Sequence, residues 1–334
     1  MRILVTGGAG YIGSFTTRAL QQSGHEVVVY DNLSFGHREA VDAEVVVADL
    51  ADVTALDACF ERGRFDAVMH FAASIEAGES MIHADRFFTN NVVNSVHLLN
   101  AAVRHGITRL VFSSTAAVYG DDVELPIKET EPAAPSNVYG ETKLEVERML
   151  PWYDRVHGLR SISLRYFNAS GGALDGAMGQ DHEPATHLIT VAIKGALGLI
   201  PVFPLYGDDY STPDGTCIRD YIHVIDLASA HIAALDALTG GGKGDVFNVG
   251  TGRGHSNLEV IDAVKRISGV DFPVEIRGRR PGDTAELLAD STKLRQTFGW
   301  EPRYSDLDTL VGSAWEWHRT HPHGYAGETV SVAR

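Results

Sequence analysis

The sequence has few cysteines, few cations and no long apolar run, and each shortage excludes a class of protein. Only Cys59 and Cys217 occur among its 334 residues. Neither stands in a CxxC or Cys/His spacing, which excludes a disulfide scaffold and leaves no zinc or other metal-ligand set. Two reduced thiols in a cytoplasmic chain are expected. Lys and Arg number 28 against 44 Asp and Glu, a formal net charge of −16. Such a surface repels phosphate at long range, so no nucleic-acid or anionic-membrane partner is expected. No window approaches the roughly 20 apolar residues of a membrane helix. The chain opens Met1-Arg2-Ile3-Leu4-Val5 as a buried-strand pattern rather than a signal peptide. Internal repeats and low-complexity tracts are missing too. What is present is an ordinary globular mix, 44% hydrophobic and 22% charged. Its length fits one large α/β domain, or a nucleotide-binding domain with a smaller partner.

Short apolar runs alternate with longer amphipathic ones through the first half. Strands are expected over 3–6, 27–30, 45–48, 67–70, 109–113 and 161–165. Helices are expected over 11–23, 53–61, 86–105 and 138–157. This alternation predicts a Rossmann-type, doubly wound parallel sheet, because each parallel return needs a crossover. Val27-Val28-Val29 and Val45-Val46-Val47 are apolar on both faces, as a sheet covered on both sides requires. Residues 1–165 are therefore assigned to a nucleotide-binding domain, with later returns to it near 216–250. Residues 166–334 are assigned mainly to a smaller C-terminal α/β lobe that binds substrate. There, 168–183 and 204–215 read as loops and 185–199 as a helix. Further elements are expected over 218–223, 226–238, 246–249 and 256–267. The polar tail after Trp317 is expected to be ordered only in part.

The sharpest local signal is Thr6-Gly7-Gly8-Ala9-Gly10-Tyr11-Ile12-Gly13, between the first strand and the first helix. Gly7, Gly10 and Gly13 permit a tight turn and close approach of a pyrophosphate to backbone N–H groups, and the helix N-terminus favours its charge. Asp31 stands 18 residues after Gly13, where a carboxylate accepts from adenosine ribose hydroxyls. A 2′-phosphate would meet negative charge there, which favours NAD over NADP. Asn32 adjoins it, Asp49 and Leu50 follow the third strand and frame the adenine, and Phe71-Ala72-Ala73 follow the fourth.

Tyr139 and Lys143 are spaced i, i+4 and share one helix face. A tyrosine hydroxyl, with its pKa of ~10, is a weak base at neutral pH. A neighbouring ammonium and an oxidised nicotinamide both favour the phenolate, which makes the pair a candidate general base for a substrate hydroxyl. The spacing alone is common. Its weight comes from Ser113, Ser114 and Thr115 at the carboxyl end of the fifth strand, where open α/β sheets bind ligands.

Together with His70-Phe71-Ala72-Ala73, Gly78-Glu79-Ser80, Asn90-Asn91-Val92, Arg165-Tyr166-Phe167-Asn168, Arg219-Asp220-Tyr221-Ile222-His223 and Asn248-Val249-Gly250, these motifs span residues 1 to about 320. The chain resembles the extended short-chain dehydrogenase/reductases, and among them the UDP-glucose/UDP-galactose 4-epimerases. The resemblance implies that Tyr139 takes the proton of the sugar 4-hydroxyl while Thr115 shares the hydrogen bond. Hydride passes to a tightly held NAD, the 4-ketose turns over, and hydride returns to its other face. Lys143 would hold the nicotinamide ribose, with Asn91, Ser113 and Tyr166 beside the cofactor. Asn168, His187, Leu188, Tyr206, Arg219, Arg280, Asp283 and Leu287 fall on UDP-sugar positions. Arg219 and Arg280 would pair with the diphosphate, Tyr206 would cover the uracil, and Asp283 would accept from a ribose hydroxyl. Leu287 matches a pocket wall whose size governs room for an N-acetyl group. A homodimer through the helices over 86–105 and 138–157 is also implied. Ile75 departs from the family's Lys, and His187 stands where Asn is frequent. The alternatives are a 4-epimerase of another UDP-sugar, a 4,6-dehydratase and an NAD-sensing regulator. The dehydratase's Asp-Glu pair after the strand-end Thr reads Ala116-Ala117 here, and the retained Tyr139 and Lys143 weigh against a regulator.

Overall fold

Seven strands form the central sheet: β1 (Arg2–Thr6), β2 (Glu26–Asp31), β3 (Glu44–Val47), β4 (Ala67–His70), β5 (Arg109–Thr115), β6 (Arg160–Tyr166) and β10 (Asp245–Val249). They run β10-β6-β5-β4-β1-β2-β3, every neighbouring pair parallel. The structure, a computed structural model, describes residues 1–280 and 282–325. Residues 326–334 of the expected polar tail lie outside the described residues.

Alternate side chains of the valine-rich strands enter two cores. On one face Ile3, Val5, Val27 and Val29 meet Leu20 of α1 (Tyr11–Gln22) and Leu227, Leu235 and Leu238 of α8 (Val224–Thr239). On the other, Leu4, Val28 and Val68 meet Leu56 of α2 (Val53–Gly63), Leu98 of α5 (Asn94–Arg104) and Val146 and Leu150 of α6 (Val138–His157). The inner strands thus bury both faces, whereas edge strand β3 leaves Val47 60% exposed, against the expectation of a sheet covered on both sides there, and the sequence order reverses between β1 and β4. The carboxyl ends diverge at that switch point and leave a crevice.

The expected helix over 86–105 is instead three pieces. They are the end of α4 (Ala84–Phe87), a π-helical turn over Phe88–Val93, and α5, with α3 (Ala77–Ser80) lying ahead of them. Ser95 Oγ donates to the Asn91 carbonyl at 2.5 Å, and the Asn91 side chain is drawn to Ser74 and Thr142. Tertiary hydrogen bonds thus outweigh the regular helical pattern, as is common at π-turns.

The second lobe contains α7 (Leu188–Ala196), α9 (Asn257–Ser268) and α11 (Leu307–Thr320), while α10 (Thr292–Phe298) returns to the central sheet, where Leu294 and Phe298 join its core. The lobe's strands are β7 (Asn168–Ser170), β8 (Phe203–Tyr206), β9 (Ile218–His223), β11 (Gly254–Ser256), β12 (Val274–Arg277) and β13 (Glu286–Leu287). β9 is flanked by β11 and β13 and also pairs with β7, while β8 pairs with β12. The stretches expected as loops over 168–183 and 204–215 therefore contain β7 and most of β8. Long-range pairing made these strands, and Pro204 is tolerated in a two-stranded sheet because an edge strand need not donate on both sides. α7 begins three residues later than expected, since His187 is extended at φ −76° and ψ 133°. Among the described residues, no helix is long and apolar enough to cross a membrane.

Candidate active site

The turn after β1 admits only glycine at two points. Gly7 has φ +70°, and a Cβ there would lie 2.4 Å from the Ala72 nitrogen. A Cβ on Gly13 would lie 2.1 Å from the Gly7 carbonyl oxygen. Both contacts are below any real Cβ separation, so the close packing of turn, helix and β4 loop depends on bare backbone. Gly10 caps α1 without a side chain, so the first N–H groups of the helix stay open to an anion. They face a crevice of about 750 Å³ lined by Gly7, Gly10, Tyr11, Ile12 and Gly13.

At the end of β2, Asp31 is 8% exposed and lines the same crevice. Its two oxygens accept from Ala9 N at 3.0 Å and Leu33 N at 2.9 Å. Burial pushes its carboxyl upward, while those two N–H groups oppose the shift. Each oxygen keeps a lone pair for a ribose hydroxyl. Asn32, Asp49 and Leu50 line the crevice beside it, and Asn32 Nδ2 donates to Asp49 Oδ2 at 2.6 Å. Phe71, Ala72 and Ala73 form the opposite wall. A glycine cradle, an uncapped helix start and a buried carboxylate at ribose distance along the crevice fit a dinucleotide without a 2′-phosphate.

The reacting end is assembled by α6. Asn137 caps it, accepting from Gly140 N at 2.9 Å. A Cβ on Gly140 would lie 2.1 Å from the Ala117 carbonyl oxygen, so glycine lets the helix press against the turn that follows β5. That approach brings Tyr139 against Thr115, and both line the crevice with Ser113 and Tyr166. Burial raises the Tyr139 phenol above its ordinary range, as does the charge of Tyr166, while the Thr115 hydrogen bond lowers it. Ser113 Oγ and Tyr166 OH are 2.7 Å apart, and burial pushes the Tyr166 hydroxyl up to about 12.

Lys143 is placed differently from expectation. It is 3% exposed, its Nζ donates to the Ser113 carbonyl at 2.9 Å, and it lies 5.0 Å from the Phe112 ring centre. It stands behind the crevice wall rather than among the lining residues. Burial pulls its ammonium down to about 7, with Glu147 opposing. Asn91 is also off the lining. Its Oδ1 accepts from Ser74 N at 2.8 Å, and its Nδ2 donates to Ser74 O and to Thr142 Oγ1, each at 3.0 Å. Its polar atoms bind the β4 loop to α6.

A second cavity of about 200 Å³ adjoins the first, and Asn168 and His187 line both. Leu188, Tyr206, Arg219, Arg280 and Asp283 line it as well. Arg219 Nη2 is 3.5 Å from Asp283 Oδ1, and the Arg280 guanidinium lies 3.9 Å from the Tyr206 ring centre. His187 Nδ1 is 2.8 Å from Gln180 Nε2, and burial lowers the imidazole's affinity for a proton. Leu287 lines neither cavity. Pairing of β13 with β9 places it in an apolar cluster with Tyr119, Leu144 and Phe167, so it backs a wall that Phe167 presents. Phe35, Glu76 and His182 line the first cavity and carried no sequence signal, because each owes its place to a loop meeting another loop. Cys217 also lines the second cavity, as a free thiol.

A parallel sheet with this glycine turn, and a tyrosine on a helix pressed to a strand-end threonine, defines a nicotinamide-dinucleotide-dependent class that works on hydroxyl groups. The sequence profile of the NAD dependent epimerase/dehydratase family matches residues 3–250, and the chain belongs to that family. NAD is its cofactor. The chain is 46% identical over 329 residues to the UDP-glucose 4-epimerase of Halalkalibacterium halodurans, spanning 98% of each chain. It is similar to the crystal structure of UDP-glucose 4-epimerase from Brucella ovis in complex with NAD, with a TM-score of 0.92 and 46% identity over 94% of this chain and 97% of that one. Another crystal structure of a UDP-glucose 4-epimerase gives a TM-score of 0.95 at 44% identity, covering 97% and 99%.

Proposed function

We propose that the protein interconverts UDP-glucose and UDP-galactose by oxidation at C4, rotation of the 4-keto sugar and re-reduction. The observation that carries this reading is the junction of the two cavities. Thr115 and Tyr139 line the first cavity, and Asn168 and His187, shared with the second, stand between them and a pocket containing Arg219 and Arg280. A nucleotide sugar anchored by its diphosphate among those cations would reach the tyrosine with its hexose. Bound NAD supplies the hydride acceptor and a fixed positive charge.

Gly7, Gly10, Gly13, Tyr11 and Ile12 hold the pyrophosphate, Asp31 holds the adenosine ribose, and Asn32, Asp49 and Leu50 frame the adenine. Phe71, Ala72, Ala73, Ser113 and Tyr166 wall the nicotinamide half. Tyr139 accepts the proton of the sugar 4-hydroxyl and later returns it, and Thr115 keeps that hydroxyl aligned. Lys143, buried behind Ser113, favours the phenolate by its charge when protonated. In the second cavity Arg219 and Arg280 bind the diphosphate. Doing so draws Arg219 from Asp283, which is then free to accept a ribose hydroxyl, and Tyr206 covers the uracil. Leu188 packs against the nucleotide.

The protein works as a homodimer in galactose metabolism in the cytoplasm. Support for the dimer comes from Phe88 and Val93 ahead of α5 and Trp152 and Val156 on α6, large apolar side chains exposed on the two elements expected to pair. Incubation of the purified protein with UDP-galactose tests the function. UDP-glucose should form without added NAD, and absence of any epimer would reject the reading. Light scattering at micromolar concentration should give twice the chain mass of 36.1 kDa.

A further inference from the structure

Residues 180–187, which join β7 to α7, run from the second lobe to the sheet side of the first cavity. Asp181 and His182 line the cavity from this strap, while Phe35 and Glu76 line it from the loops after β2 and β4. Five contacts join the two sides. The His182 ring stacks on Phe35, with centres 5.0 Å apart and planes at 29°. His182 Nε2 lies 3.1 Å from Glu76 Oε1, and the Thr186 hydroxyl donates to the same oxygen at 3.1 Å. His37 Nε2 lies 3.1 Å from the Asp181 carbonyl oxygen and 3.2 Å from its carboxylate. His37 is itself tied to the glycine turn, its N–H donating to Ala9 O at 2.9 Å.

These contacts have a cost that the fold does not require. Glu76 puts a carboxylate on the wall of a cavity suited to an anion, and its charge opposes ionisation of Tyr139. Phe35 is half exposed, so hydrophobic burial does not explain its position. Both features make sense if the strap and the two loops act together on whatever lies beneath them. A ligand in the crevice lies against residues of both sides, and these bridges tie the two sides together around it. A pair that must separate before release slows dissociation by its own strength.

We propose that Phe35, Glu76 and His182 form a clasp that holds the dinucleotide in its cleft between turnovers. The proposal rests on the reading of this cavity as the NAD site. An epimerase that returns its cofactor to the starting state in each cycle gains nothing from exchange, so a closed cleft suits it.

The test measures cofactor release rather than turnover, because Glu76 also acts on Tyr139. The protein is loaded with NAD and desalted, and the NAD lost on repeated ultrafiltration is followed over time. Glu76→Ala and His182→Ala should each speed release about tenfold, the order expected for loss of one buried polar contact. The double variant should release NAD faster than either single but by less than the product of their effects, because both lose the Glu76–His182 contact and each also loses one of its own, to Thr186 or to Phe35. Phe35→Ala, at a half-exposed loop position where folding is not at stake, should speed release several-fold. Release at the parent rate in all three single variants would overturn the clasp. So would a double variant whose effect is the product of the singles. A parent protein that carries no NAD and takes up none would overturn the assignment of the cavity itself, a distinct result.

Discussion

Two successive parts of helix α6 treat buried charge in opposite ways. In the first turns, Tyr139 and Lys143 are buried with no carboxylate bonded to either, and both are displaced toward their neutral forms. One turn further, Glu147 is bonded on every side. Arg165 donates to it from Nε at 3.0 and 3.2 Å and from Nη2 at 2.5 Å, and Ser114 Oγ donates at 2.5 Å. Tyr119 OH then accepts from Arg165 Nη1 at 2.9 Å and donates to Asn248 at 2.8 Å. Burial alone would lower Arg165, but its bonds to Glu147 outweigh that and hold it above its ordinary range. The same helix therefore leaves one pair without charge compensation and gives another full compensation. An uncompensated group can change protonation during a reaction, whereas a saturated ion pair fixes the position of α6 against β5 and β6.

Perturbing each part should separate chemistry from stability. Tyr139→Phe should lower kcat by roughly a thousandfold or more, the range for loss of a general base, with bound NAD retained and the unfolding midpoint little changed. A turnover within tenfold of the parent would remove Tyr139 from the proton-transfer role. Glu147→Ala should do the reverse. It leaves Arg165 buried without its partner and should cost about 3–5 kcal/mol in urea unfolding. A loss under about 1 kcal/mol would mean that the network relaxes into water.

Lys143 gives a pH signature. Its folded value of about 7 lies below the unfolded value of about 10.4. Between these values the unfolded chain holds a proton that the folded one lacks, so stability of the cofactor-free protein rises with pH across that window. The slope from this group is at most about 1.4 kcal/mol per pH unit. Comparing Lys143→Met with the parent by urea unfolding at pH 7 and pH 9 should show the variant gaining less stability. An equal gain would mean that the lysine is charged in the folded protein. The smallest effect should come from Asn137→Ala, which removes the α6 cap and should cost about 1 kcal/mol, with kcat falling only as far as Tyr139 loosens.

Much of the sheet was legible because buried parallel strands and amphipathic helices leave separate periodicities. β4, β9 and α6 have the bounds read from the sequence, 67–70, 218–223 and 138–157. The glycine turn was legible for a related reason, since Gly7 and Gly13 meet backbone that no side chain can approach. The π-turn at Phe88–Val93 and strands β8 and β12 were not legible. Their causes are partners far along the chain, Ser74 and Thr142 for Asn91, and each strand for the other. Spacing placed Lys143 and Leu287 along the chain but not in depth, so the sequence could not show that they stand one layer behind the wall.

Local stereochemistry and periodic burial determined the parallel sheet, its glycine turn and the Tyr139–Lys143 helix face, because those forces act within one element or between neighbours in the chain. The shortage of cations settled the character of the surface in the same way. Tertiary structure alone decided which charges stand exposed to a ligand and which are spent inside the protein. That choice depends on distances between remote segments: Glu147 meets Arg165, Asn91 meets Ser74, and Glu76 meets His182 only in the folded chain.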